Sequence, residues 1–301
     1  MLDPRRLRVL VEVARQGSIT AAAESLSFVP SAVSQQIAAL ERELGVKLTA
    51  RVGRGTELTS AGRLLVERAE ELLSQLGRAE DAVRSLDGVG SGRLRVGAFT
   101  SAGATIVPGA LGTLAHRHPG LALSLVAQDP EQSIVALKRH EVDVAVIHRS
   151  PFEPQAPKPG VAERQLLRDE LRLAVARDHA LASKRRAPLE SFAQDAWVLA
   201  PRGTRAHALA SHACRVAGFT PTVAYTTDDT LLALRLVAAG LGVALVPTLS
   251  VAGLSEQVAL VPLHVPPARA VLVAWRQDDD SEAVALMIKL MAREAKRVGR
   301  R

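Results

Sequence analysis

The stretch VPSAVSQQIAALERELG, from Val29 to Gly45, limits the fold more than any other segment, because its pattern suits one kind of helix only. Val33, Ile37, Leu40 and Leu44 recur at helical spacing and predict one buried face. The opening turns carry Ser31, Ser34, Gln35 and Gln36, all neutral hydrogen-bonding groups. Upstream, Pro4 followed by RRLRVLVEVARQG predicts a first helix with Leu7, Leu10, Val11 and Ala14 on one face, ending at Gly17. Ser18 predicts the cap of a second, where Ala21, Ala22 and Ala23 allow close helix approach and Glu24 lies in the N-terminal half. Three short helices with a Gly-Ser junction and a Phe28-Val29-Pro30 turn read as a helix-turn-helix, whose last helix enters a major groove by its first residues. Ser31, Ala32, Ser34, Gln35 and Gln36 are then candidates for phosphate oxygens and base edges, glutamine pairing well with adenine. A small helical bundle with a solvated polar face is the competing reading.

The following KLTARVGRGTELTSAG predicts two short extended pieces around a Gly-rich tip with Arg51 and Arg54. A β-wing would set these guanidinium groups against phosphates or a narrow minor groove, whereas a plain hairpin would leave them in water. From Thr59 a capped helix is expected to about Leu86. Leu65, Ala69, Leu72, Leu76, Ala79, Val83 and Leu86 alternate spacings of four and three, a heptad seam for a second chain unless the stripe packs on its own. DGVGSG then breaks the helix and predicts a hinge, and its glycines precede a strand rather than a helix, unlike a dinucleotide loop.

Beyond the hinge, RLRVGAFT, LALSLVAQ and VDVAVIHR read as strands alternating with helices SAGATIVPGALGTLAHRHPG and PEQSIVALKRHE, which makes a parallel α/β unit. PFEPQAPKPG is a Pro-rich connection, after which LLRDELRLAVAR opens a second α/β unit running to GVALVP. The final strand RAVLVAWR and the helix from about Ser281 to Val298 are expected to return to the first unit, giving two lobes joined by two crossovers. The fold class is thus α/β behind an N-terminal winged helix-turn-helix. Expected boundaries are 1–58 for the winged domain, 59–87 for the linker helix, 88–92 for the hinge, 93–161 with 267–301 for lobe I, and 162–266 for lobe II.

Charge adds little. Of the net +7, residues 1–63 hold +3, residues 64–92 hold −3 and the rest lies later, partly in AREAKRVGRR. No apolar run approaches membrane-span length, and the N-terminus is too charged for a signal peptide, so a cytoplasmic protein is expected. A lone cysteine, Cys214, excludes an internal disulfide and reads as a small buried residue. His116 with His118, and His207 with His212, lack the spacing of a zinc helix, and there is no P-loop or G-x-S-x-G elbow, so neither a cofactor nor catalysis is expected. Asp228 and Asp229 read as a helix cap rather than a carboxylate pair.

With AAAESLSFVPSAVSQQIAALERELGVKL and GRGTELTSAG in place, the chain resembles LysR-type transcriptional regulators, through a winged helix-turn-helix over residues 1 to 65 and a linker helix behind it. Val29 stands where members often carry a Ser or Thr cap, Thr49 where the wing strand is often aromatic, and Pro30 where a polar contact residue is common. The resemblance implies that the two lobes, similar to a periplasmic solute-binding protein, form an effector-binding domain. It also implies a homodimer or homotetramer on an interrupted palindrome of double-stranded DNA, with RNA polymerase as a further partner and no membrane.

Ligands in open α/β sheets bind at the carboxyl ends of strands, here Thr100 and Ser101, Ile147 through His148 to Arg149, Ala200 to Thr204, and Thr226 to Asp228. The resemblance carries effector contacts onto Thr100, Ser101, Arg202 and Thr227. Arg149, Arg202 and Arg205, with the hydroxyls of Thr100 and Ser101, favour a small anion such as a carboxylate. Two competing readings stand beside this: Thr100 and Ser101 cap the following helix, and the arginines pair with Asp228, Asp229 or glutamates across the lobes. For the whole chain, the rivals are a solute-binding module with an accessory helical domain, and a transferase on an α/β scaffold.

Overall fold

The computed structural model describes residues 2–52, 55–85, 92–152, 158–251 and 256–299. They divide into two compact units, Met1–Arg93 with Arg139–Glu141, and Leu94–Lys138 with Val142–Arg301.

In the first unit, α1 (Pro4–Gln16) is capped by Asp3, whose carboxylate accepts from Arg5 N at 2.8 Å, and it ends at Gly17 in the left-handed region. Ser18 caps α2 (Ile19–Ser25), and the buried Ala22 and Ala23 let it lie close to its neighbours. Helix α3 (Pro30–Leu44) starts from Val29 with no side-chain cap bond, as its apolar side chain dictates. Val33, Ile37 and Leu40 are buried as expected, but Leu44 is 39% exposed, because the helix terminates there and Gly45 turns the chain away. Glu41, about one turn earlier, is buried instead. Strands β1 (Thr49–Val52) and β2 (Gly55–Leu58) form an antiparallel hairpin, and α4 (Ser60–Ser85) follows. Leu10, Leu40, Leu48 and Ala69 are among the fully buried residues of the unit's core, so the first turns of α4 belong to this domain.

The second unit has two lobes. In the first, β4 (Leu121–Ala127), β3 (Gly92–Ala98) and β5 (Val144–Arg149) lie side by side, with β11 (Ala268–Arg276) antiparallel to β5 and the long β6 (Val161–Ala176) beyond it. Helices α5 (Thr100–Arg117) and α9 (Glu282–Val298) bury Ile106, Leu114, Met287 and Met291 on one face, against Val96, Val146, Val271 and Val273. On the other face α6 (Pro130–Lys138) buries Ile134 and Leu137 against Ala145, Ile147 and Leu272.

In the second lobe, β9 (Ala244–Pro247) and β10 (Val258–Val261) pair with the end of β6, and β7 (Ala196–Leu199) runs parallel to β8 (Thr222–Thr226). Helices α7 (Arg205–Val216) and α8 (Thr230–Ala238) pack on them. Trp197, Phe192, Leu173 and Cys214 fill the core here, and burial pushes the Cys214 thiol up to about 11.

The lobe boundary departs from the expected residue 162. Residues 161 to 170 of β6 pair with β11 inside the first lobe, and only 171 to 176 pair with β9 and β10. The crossover is therefore made within an unbroken strand, where Leu171 N donates to Pro267 O at 2.8 Å. Pro and Gly mark loops, and a strand that changes sheets without turning carries neither. Among the described residues, no helix is long and apolar enough to cross a membrane.

Candidate functional site

Two surfaces carry the predicted residues, one on each unit. On the first, Ser31, Ser34 and Gln35 are exposed at the start of α3, while Ala32 and Gln36 are half-buried. The Ser34 hydroxyl donates back to Pro30 O at 3.0 Å, which leaves its oxygen lone pairs open to a donor. Phe28 and Val29, just before the helix, are exposed apolar residues. Arg51 pairs with Thr56 across the wing hairpin, and Arg54 lies outside the described residues. Thr49, at the position often aromatic, instead donates its hydroxyl to Glu41 at 3.3 Å.

On α4 the heptad positions separate into two groups. Leu65 and Ala69 pack in the unit's own core, with Ala69 fully buried. Leu72 and Leu76 are 44% and 47% exposed, Val83 is 68% exposed and Ala79 is exposed as well. Leu86 and the hinge at 88–91 lie outside the described residues.

The second surface is the set of strand ends between the lobes. Ser101, in the first turn of α5, accepts from Arg269 Nη2 at 2.8 Å. The cap position of that helix is Phe99, with no side-chain cap bond, and Thr100 is exposed. Arg269 opens β11 and is buried on a buried partner, Asp169 of β6, at 2.9 Å. Asp169 also accepts from Thr248 Oγ1 at 2.8 Å and Leu249 N at 3.1 Å, so donors from two other segments converge on one carboxylate. The guanidinium of Arg269 lies 4.9 Å from the centroid of Phe99, whose ring meets His148 edge-on at 4.8 Å.

His148 is held neutral. Burial, then the charges of Arg269 and Arg205, push its pKa down to about 3, and its Nδ1 is buried without a hydrogen-bond partner among the described residues. On the other face of the sheet Arg149 grips Glu163 with two contacts at 2.9 and 2.7 Å. Lys158 stands 3.6 Å from the same carboxylate, and burial lowers its pKa, with Glu163 opposing the fall and Arg149 and Arg205 adding to it. Gln128, which follows β4, has a buried Nε2 with no hydrogen-bond partner among the described residues. That nitrogen would lie 2.7 Å from a Cβ at Gly97, so the glycine is what lets the amide settle on the strand.

From the second lobe, Arg205 crosses to Glu131 on α6 at 2.8 Å, and Arg202 is exposed. Thr204 caps α7 by accepting from His207 N at 3.2 Å, and Thr227 accepts from Asp229 N at 3.1 Å. Asp229 caps α8, taking Leu231 N at 2.8 Å. Two other histidines make short-range contacts, His207 Nδ1 with Ala200 O at 2.9 Å and His116 Nδ1 with Gly112 O at 2.7 Å, while His212 of α7 stacks on Phe152, which follows β5.

The predicted arginines therefore do not converge as bare cations. Arg149 and Arg205 hold glutamates, and the guanidinium that reaches Ser101 is Arg269. Phe99, Gln128, Glu163, Asp169 and Arg269 are the site residues that the sequence reading missed. A charged residue opening the apolar strand ARAVLVAWR was the only signal for Arg269, whose partner is 100 residues away.

Comparison with known proteins gives each part of the chain a family match. Residues 4–63 match the family described as bacterial regulatory helix-turn-helix protein, lysR family, and residues 87–296 match the LysR substrate binding domain. The chain is 34% identical to the HTH-type transcriptional regulator TfdS of Cupriavidus pinatubonensis, over 82% of each protein. It is 32% identical to a probable hydrogen peroxide-inducible genes activator of Mycobacterium leprae, over 80% of this chain and 76% of that one. The solved structure of full-length CbnR complexed with its target DNA superposes with a TM-score of 0.71 at 25% identity, covering 97% of this chain and 100% of that one. The chain belongs to the LysR family of transcriptional regulators, with a helix-turn-helix DNA-binding domain ahead of a two-lobed effector-binding domain.

Proposed function

We propose that this regulator acts in the cytoplasm, without catalysis, and reads an interrupted palindrome through Ser31, Ala32, Ser34, Gln35 and Gln36, with Arg51 and Arg54 on the DNA backbone. Two chains pair along Leu72, Leu76, Ala79 and Val83 of α4, and pairs of dimers form a tetramer. The effector is a small organic anion, a carboxylate, held between the lobes at Thr100, Ser101, His148, Arg149, Arg202, Thr204 and Thr227.

The observation that carries the effector class is the pair of guanidinium groups, Arg205 and Arg269, whose charges both reach His148, the partner of Arg205 being the largely exposed Glu131. Arg205 is near enough to depress both His148 and Lys158. A cation entering this field would be repelled, whereas a carboxylate would relieve it and accept from the Ser101 hydroxyl. A neutral His148 adds a polar group without adding charge.

The test is a calorimetric screen of small carboxylates against neutral and cationic metabolites, repeated with Ser101→Ala. Carboxylate binding, weakened about tenfold in the variant, is expected. Tight binding of a cation, or equal carboxylate affinity in both proteins, overturns the assignment.

A further inference from the structure

Lys47, Leu48 and Thr49 join the DNA-reading helix to the wing, and two helices hold this short segment by its backbone. From α3, the buried Glu41 accepts from Leu48 N at 3.0 Å and Thr49 N at 3.2 Å with one oxygen, and from Lys47 Nζ at 2.6 Å with the other. Burial works to raise the Glu41 carboxyl, but these hydrogen bonds outweigh it and keep it below the ordinary carboxylate value. At the start of α4, Thr59 donates its hydroxyl to Lys47 O at 2.7 Å and its N–H to Leu48 O at 2.9 Å. The same Thr59 oxygen accepts from Gly62 N at 3.0 Å and so caps the helix. There is no slack at the contact. A Cβ at Gly62 would stand 2.0 Å from Leu48 O, so only glycine lets the helix come this close.

Without the clasp, α4 would meet the winged domain through the pliable wing hairpin and through apolar packing of Leu65 and Ala69 in the core, which is non-directional and fixes position more than angle. We propose that the clasp of Glu41 and Thr59 on Lys47–Thr49 makes the two helices one rigid lever, and that this lever fixes the half-site spacing that a dimer accepts. The proposal rests on the reading of α3 as the DNA-reading helix and of α4 as the pairing helix. Adding one base pair between half-sites displaces one of them by about 3.4 Å along the duplex and rotates it by about 34°. A rigid lever cannot follow that change, because α4 is anchored to the partner and α3 to the groove. A loosened joint can. Glu41 and Thr59 are thus positioning residues for operator geometry, and neither needs to touch DNA.

The experiment is in vitro selection from a random double-stranded DNA library, using the full-length protein, Thr59→Val, Thr59→Ser and Glu41→Gln. The wild type is expected to enrich paired half-sites at one spacing, with a one-base-pair insertion weakening binding about tenfold. Thr59→Val and Glu41→Gln should enrich the same half-site sequence at several spacings, the insertion then costing about twofold, while Thr59→Ser keeps the hydroxyl and the wild-type penalty. A merely structural role would lower the melting temperature and leave the spacing distribution unchanged. Folded variants that retain the wild-type penalty overturn the proposal, and if Glu41→Gln fails to fold, the near-isosteric Thr59→Val decides. A wild type that enriches no paired half-sites would instead overturn the dimer reading beneath it.

Discussion

Arg205, in the first turn of α7, donates to Glu131, in the first turn of α6, at 2.8 Å, and so ties the second lobe to the first. The Glu131 side chain is 79% exposed, so water and salt screen the pair and it adds little to stability. If the effector is the proposed carboxylate, Glu131 competes with it for the same guanidinium. Glu131→Gln should change the free energy of unfolding by less than about 0.5 kcal/mol, measured in urea. Calorimetry should show carboxylate affinity rising by up to about fivefold. A fall in affinity would mean that Glu131 itself contacts the effector.

Asp169 and Arg269 present the opposite energetic case. Both are buried, and the carboxylate also serves Thr248 and Leu249 at the crossover between lobes. Asp169→Asn leaves a buried guanidinium without its counter-charge and should destabilise the protein by about 3–5 kcal/mol. The double change Asp169→Leu with Arg269→Met removes both charges and should recover at least half of that loss. Denaturant midpoints at fixed slope provide the measurement, and a double variant no better than Asp169→Asn would show that the polar partners, rather than the charge, set the cost.

How much of this was legible in the sequence follows from the distance over which each signal acts. The helix-turn-helix was readable because Ser18 and Gly17 act on backbone groups within four residues, and Val33, Ile37 and Leu40 follow the helix period. Asp229 as a cap was equally local. Glu41 was not readable, since a charged residue beside the apolar stripe gives no sign that four main-chain and side-chain donors await it from the next segment. The lobe boundary was misplaced because β6 changes partner at Leu171 without changing conformation. The strand-end hydroxyls were found by a general rule of α/β sheets, whereas the charges around them come in pairs separated by 14 to 100 residues, as in Arg149 with Glu163 and Asp169 with Arg269.

The division of the α4 stripe separates two outcomes of one kind of substitution. Leu76 is half exposed, while Ala69 lies inside the winged domain's core. Leu76→Glu should therefore dissociate the oligomer and leave the winged domain folded, whereas Ala69→Glu should bury an unpaired charge and unfold that domain. Sedimentation velocity and far-ultraviolet circular dichroism separate the two. A Leu76→Glu protein as large as the wild type would remove α4 as the pairing surface.

His148 ties stability and effector binding to pH. Its folded-state pKa, pushed from 6.5 to about 3 by burial and by Arg269 and Arg205, lies below that of the unfolded chain. As pH falls through 6.5 the unfolded state takes up a proton that the folded state refuses, so stability is lost as acid is added. Between pH 7 and pH 5 this single group should cost about 2 kcal/mol, and His148→Gln should flatten the urea-measured pH dependence by that amount. Parallel dependences for wild type and variant would show that His148 titrates normally. The same field gives a second readout, because an anion bound beside Arg269 and Arg205 offsets the charges that depress His148 and so raises its pKa. Burial, the larger cause, is left in place, so carboxylate binding at about pH 4 should draw part of a proton from the buffer. Calorimetry in buffers of different ionisation enthalpy measures that uptake, and proton release instead would place the carboxylate away from Arg269 and Arg205.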